Sequence, residues 1–274
     1  NEVRLGKMTE ETEGILNGRL VEVGENVEDR GKFIMQKIKD GENPLCLMSL
    51  RKDVAAINLC MLIGNEITPV LVHAIDKSLG RKKAKIMKMK GAKVGNVETM
   101  TWRELEKYVD KTMKRKEQET GGLADVIVIG QGARVMLRKN VDVANGLYNG
   151  ALGVITRIVM NSRMPDGVSG VIVKFDAIDE PVEVKRATTT YHLGQAIEVK
   201  REQFPLTLAY AMTIHKSQGL SLDCVVCDMK SSIFAWGMAY VVLSRVRKLS
   251  GLYMFGFDVK SVKCDRSAVL EYNR

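Results

Sequence analysis

The sequence predicts an α/β fold on a parallel sheet, with a small all-β unit inserted into it. Three observations carry this. Pro44–Ser49 is an apolar run followed by a helical pattern over Asp53–Leu62, with Val54, Ile57, Leu59 and Leu62 inward. Leu206–Ala211 and Cys224–Cys227 are strand-like runs on either side of a polar stretch, so strand, short helix and strand form a small parallel unit. Between them, Gly130–Glu198 changes character to short alternating strands broken by Asn-Gly, Pro-Asp-Gly and Asp-Glu-Pro turns.

In chain order, Thr9 is a plausible N-cap for a helix with Glu10 and Glu11 in its first turn and Ile15, Leu16 and Leu20 as its apolar face. Lys32–Lys39 is a second short helix. Arg51, Lys52 and Asn58 follow the first strand and face either nucleotide or DNA; a solvated helix start with an Asn fixing local backbone is the competing reading. Arg81–Lys93 is the densest charge block, and Thr101–Lys116 has helical spacing with Trp102, Leu105, Val109 and Met113 on one face. The insertion has strands at Arg134–Leu137, Gly153–Val159, Val171–Phe175 and Val182–Val184. In its turn region, Gly146, Asn149 and Gly150 serve turn geometry, with DNA contact a further possibility. A last strand runs from Leu252 to Phe257, and a tail with Val262, Val269 and Leu270 packs back.

The chain has 274 residues and a net charge of +9. Residues 81–116 hold roughly nine positive charges in excess, about the whole surplus. That balance favours nucleic acid over an acidic small molecule. No apolar run approaches the roughly 18 residues that span a membrane, and no signal peptide opens the chain. Of the five cysteines, Cys224 and Cys227 have metal-like spacing, but no second pair completes a zinc site, and the run is strand-like. An odd count without a framework suits a reducing compartment.

Two segments look chemical. Thr213-Ile214-His215-Lys216-Ser217-Gln218-Gly219 is a polar helical turn of about one and a half turns, capped by Thr213 and ended by Gly219. Ligands bind parallel units at the carboxyl ends of the strands, where these donors suit phosphate and sugar oxygens. A solvated turn between two core strands is the alternative. Trp236–Leu243 is a helix-length apolar run ending in Arg245 and Arg247. Such an arginine either caps helix carbonyls or reaches a transferring phosphoryl group. A serine hydrolase built on Ser217 and His215 is disfavoured: there is no G-x-S-x-G elbow, and residues two apart on a helix point about 200° apart.

The words TIHKSQGLSLD, AYVVLSRVRKLSGL and GARVMLRKNVD…GLYNGALGVI resemble the Pif-type (petite integration frequency) DNA helicases of superfamily 1B, roughly over Cys46–Phe257. The first word is similar to motif V of that family and the second to motif VI. The resemblance implies a RecA-like second domain, of the P-loop NTPase helicase type, over 41–80 and 200–260. Residues 1–40 would close a first RecA-like domain, 81–125 would be a basic helical insertion, 126–199 a small barrel and 261–274 a tail. It also implies an ATP-dependent 5′-3′ helicase of DNA repair, recombination and telomere maintenance, with related modules in transposons.

Arg245 would then be the arginine finger. Gln218, Gly219 and Arg51 would meet the nucleotide, and Thr213, His215, Lys216, Ser217, Asn58 and Asn149 would hold single-stranded DNA. ATP and Mg2+ are expected to be bound mostly by a domain preceding this chain, because no G-x-x-x-x-G-K-[ST] loop occurs in it. By itself the chain is expected not to hydrolyse ATP. A single-stranded-DNA-binding module or helicase remnant is the alternative. The basic block favours nuclear residence, with mitochondrial residence second.

Overall fold

Two compact units organise the chain, one of residues 1–64 with 210–274 and one of residues 65–209. The computed structural model describes residues 2–79, 101–112, 120–193, 197–230 and 233–272. The charge block at Arg81–Lys93 therefore lies outside the described residues, as do residues 113–116 of the helix expected after it.

The first unit opens with helices α1 (Glu2–Leu5) and α2 (Glu10–Asn17). Thr9 caps α2: its hydroxyl accepts from the Thr12 amide at 3.3 Å, with three acids in the first turn. Of the expected apolar face only Leu16 is buried, whereas Ile15 and Leu20 stay exposed. Helix α3 (Val27–Lys39) begins five residues before the expected Lys32, because Asn26 accepts from the Asp29 amide at 2.7 Å and starts it there. Strand β1 (Leu45–Met48) is buried throughout and leads into α4 (Arg51–Gly64), in which every residue from Ala56 to Leu62 is buried. A helix buried on all sides lacks the one-faced pattern that sequence periodicity detects.

The second unit holds β2 (Val70–His73), β3 (Ile75–Leu79), α5 (Trp102–Thr112), β4 (Val126–Ile129), β5 (Arg134–Leu137), β6 (Leu152–Met160), β7 (Val168–Phe175), β8 (Val182–Val184), β9 (Ala187–Leu193), β10 (Ile197–Gln203) and β11 (Leu206–Leu208). Strands β11, β5, β6, β7 and β8 form an antiparallel sheet in that order, with β3-β10-β9 and β2-β4 beside it. Val135, Leu137, Ile155, Val171, Val173 and Phe175 fill its core. No sheet closes on itself among the described residues, so the expected barrel is seen as open sheets. Arg201, buried, is neutralised by Asp76 at 2.6 Å and by Asp125, and it donates a hydrogen bond to the Tyr191 hydroxyl at 3.2 Å. Burying a cation demands this degree of pairing.

The chain then returns to the first unit with β12 (Ala211–Thr213), β13 (Val225–Met229), α6 (Met238–Leu243), β14 (Leu252–Phe257) and α7 (Arg266–Tyr272). The sheet order is β12-β1-β13-β14 and every pair is parallel. Strands β12 and β13 are thus not neighbours: β1 lies between them. The run expected as one strand over Leu206–Ala211 is two. Leu206–Leu208 pairs with β5 in the insertion, and Ala211 pairs with Cys46 of β1. The unit boundary accordingly falls at Tyr210 rather than near residue 200. In the tail, Val262 is buried, but Leu270 is 68% exposed and does not pack back. No helix among the described residues is long and apolar enough to cross a membrane.

Candidate functional site

Strand β12 ends at Thr213, and the chain turns at once into a single 3-10 turn, Ile214–Ser217, shorter than the expected α-helical turn and a half. Ile214 and Ser217 are buried. Three residues make one turn of such a helix, so these two share its inner side and His215 and Lys216 are left exposed. The Ser217 hydroxyl donates to the Ile214 carbonyl at 2.7 Å and has no exposure, so it holds the turn instead of facing a ligand. Thr213 is also buried, at 9% exposure, and its side chain makes no cap hydrogen bond. Gln218 is exposed, and Gly219 follows with φ +85, a conformation that disfavours any side chain.

At its end nearest this turn, β1 pairs Met48 with Thr213, so Arg51 and Lys216 follow adjacent strand ends on the same edge of the sheet. Arg51 is exposed at the start of α4. Asn58 is not. It is buried, its amide donates to the Ala211 carbonyl at 2.9 Å, and its oxygen accepts from the Tyr210 and Ala211 amides at 3.0 and 2.9 Å. This corrects its expected contact with DNA: Asn58 fixes the backbone where β12 begins.

Helix α6 starts after Gly237, whose φ of +71 excludes the expected first turn from Trp236 and leaves that tryptophan 62% exposed. Arg245 follows its end. Its Nε donates to the Val241 carbonyl at 3.0 Å, Nη1 to the Leu220 carbonyl at 3.0 Å and Nη2 to the Ser244 hydroxyl at 2.9 Å. A guanidinium has five N–H donors. Three are used among the described residues, which leaves one on each terminal nitrogen for a further acceptor. The carbonyl-capping and phosphoryl-reaching readings of Arg245 are therefore compatible.

The two candidate segments are joined along their backbones. The Leu222 amide donates to the Arg245 carbonyl at 2.8 Å and the Arg247 amide to the Leu222 carbonyl at 2.9 Å. Arg247 meets both Asp223 oxygens, at 2.9 and 3.1 Å. Asp223, Leu220 and Ser244 were not singled out by the sequence: a main-chain acceptor carries no residue signature, and Ser244 differs from any exposed serine only by adjoining Arg245.

Asn149 lies in the other unit, exposed on a loop stiffened by Asp142, whose carboxylate accepts from the Asn145 amide at 3.3 Å. Gly146 and Gly150 there have φ of +81 and +109, as their turn role requires. The backbone amide of Asn149 donates to the Asn140 side chain at 2.8 Å. Cys224 and Cys227 are free and buried, and the Cys224 thiol donates to Glu42 at 3.1 Å.

Residues 125–158 match the family described as DNA helicase Pif1, 2B domain. The chain is 44% identical over 147 residues to the ATP-dependent DNA helicase PIF1 of Rattus norvegicus, covering 54% of this chain and 22% of that protein. A Trypanosoma brucei relative, the ATP-dependent DNA helicase PIF7, is 27% identical over 99% of this chain and 28% of its own length. The chain thus spans about a quarter of the length of these relatives. Among solved structures, the Pif1 helicase of Candida albicans superposes with a TM-score of 0.68 at 24% identity, over 100% of this chain and 56% of that one. A Bacteroides Pif1 bound to single-stranded DNA gives 0.61 at 22% identity, over 100% and 51%. The chain is thus similar to Pif1-type DNA helicases in its motifs, in the family match over residues 125–158 and in its fold.

Proposed function

We propose that this chain is the C-terminal part of an ATP-dependent 5′-3′ DNA helicase, supplying the arginine finger and part of the grip on single-stranded DNA. The observation that carries this reading is Arg245, fixed by three acceptors with two donors left over. The relatives' names and a Bacteroides Pif1 structure with ADP-AlF4 support a nucleotide as the ligand. ATP with Mg2+ supplies the phosphoryl group, and most of its ligands belong to a preceding domain. Arg245 stabilises the charge that develops on that group. Gln218 and Gly219, two residues or fewer from the Leu220 carbonyl that Arg245 binds, line the same nucleotide site, and Arg51 adds positive charge at the edge of the sheet. His215 and Lys216, both exposed, hold backbone phosphates. Thr213 and Ser217 shape the turn beneath them, and Asn149, exposed on a loop of the insertion, is assigned a contact with single-stranded DNA of its own. Repair, recombination and telomere maintenance are the processes proposed, with nuclear residence supported by the basic block and mitochondrial residence second.

The test is hydrolysis by the whole protein with and without a single-stranded oligonucleotide, and unwinding of duplexes with 5′ or 3′ tails. DNA-stimulated turnover and unwinding from the 5′ tail are expected. Binding that falls steeply with salt but brings no hydrolysis would leave a binding module instead, and absence of binding would refute both.

A further inference from the structure

We propose that Ser244 is a positioning residue for Arg245, presetting the guanidinium before any nucleotide arrives. The inference rests on the reading of Arg245 as a finger. The Ser244 hydroxyl donates its only proton to the Val241 carbonyl at 3.0 Å. Its lone pairs are then turned toward Arg245 Nη2, 2.9 Å away. The same Val241 carbonyl also accepts from Arg245 Nε at 3.0 Å. Serine, carbonyl and guanidinium therefore close a small ring at the end of α6, and the Leu220 carbonyl fixes the other nitrogen. Ser244 is itself exposed, so its hydroxyl does not fill a core. Without it, the planar guanidinium keeps its two carbonyls but loses one of the three contacts that hold its plane in place. The donors left for a phosphoryl group would then be spread over more orientations. Catalysis by a preset donor depends on geometry fixed before the reaction.

The experiment compares Ser244→Ala, Ser244→Thr and Arg245→Ala in the whole protein, measuring kcat and KM for DNA-stimulated ATP hydrolysis, affinity for a non-hydrolysable ATP analogue, and thermal stability. Ser244→Ala is expected to lower kcat about tenfold, the effect of one charge-assisted hydrogen bond. KM, analogue affinity and stability should stay close to the parent, and Ser244→Thr, which restores a hydroxyl, should recover most of kcat. An unchanged kcat in Ser244→Ala, with Arg245→Ala inactive, would overturn the inference and leave the finger standing. A kcat loss matched by a loss of stability and not rescued by threonine would make Ser244 a helix cap only, which also overturns it. Turnover retained in Arg245→Ala would remove the finger itself.

Discussion

Asn58 shows how a residue that looks available for a ligand is consumed by the fold. Its three hydrogen bonds satisfy the Tyr210 and Ala211 amides and the Ala211 carbonyl, all where the chain re-enters the parallel sheet. Asn58→Ala would leave these buried groups unpaired, and chemical denaturation should show a loss of about 2–4 kcal/mol. DNA affinity per folded molecule should not change. The thiols give a second residue-scale prediction. Burial, reinforced at Cys224 by the Glu42 carboxylate, pushes Cys46 and Cys224 up to about 12, and burial raises Cys227 likewise. Folding thus favours the protonated thiols over an unfolded reference near 8.5. Their contribution to stability is complete below roughly pH 8.5 and is lost as pH rises toward 12. Denaturation midpoints measured from pH 8 to 11 should fall, and should fall less in a Cys224→Ser variant.

At the scale of elements, the sequence was most legible where one physical rule acts alone. Leu252–Phe257 and Arg134–Leu137 are strands with the expected bounds, because their apolar runs end at clear turn residues. Thr9 caps its helix as expected because its hydroxyl can accept from the Thr12 amide while donating its own proton to the Glu2 carboxylate at 2.9 Å. Legibility failed where a long-range partner decided the matter. Nothing local distinguishes Leu206–Leu208 from Ala211–Thr213; the break between them exists because Asn58, far along the chain, takes the Tyr210 amide. The polar turn proved to be one 3-10 turn because Ser217 closes on Ile214, and α6 proved short because Gly237 adopts a positive φ, which the sequence permits without requiring. Gly251 carries a prediction of the same kind. A Cβ there would meet the Asp223 carbonyl oxygen at 1.9 Å, so the residue just before β14 must be glycine to lie against the segment joined to Arg245 and Arg247. Gly251→Ala should destabilise by about 1–3 kcal/mol. It should also lower turnover more than that loss of folded protein accounts for, which activity normalised to the folded fraction would reveal.

At the scale of the whole molecule, the parallel sheet of one unit carries His215, Lys216, Gln218, Gly219 and Arg245 on segments joined by hydrogen bonds, so the groups proposed for DNA and those proposed for nucleotide are directly linked. On the proposed roles, that arrangement would couple nucleotide to DNA, because a shift of Arg245 is passed to Leu220, two residues from Gln218. The charge block at 81–93 and the insertion bearing Asn149 would add affinity that weakens with salt. The most direct test of this account is single-turnover ATP hydrolysis by the whole protein bound to single-stranded DNA, comparing the parent with Arg245→Ala while ATP binding is followed separately. We predict that Arg245→Ala binds ATP with parental affinity and hydrolyses it at least about a thousandfold more slowly, the range an arginine finger supplies. Hydrolysis within a few-fold of the parent would contradict the central claim.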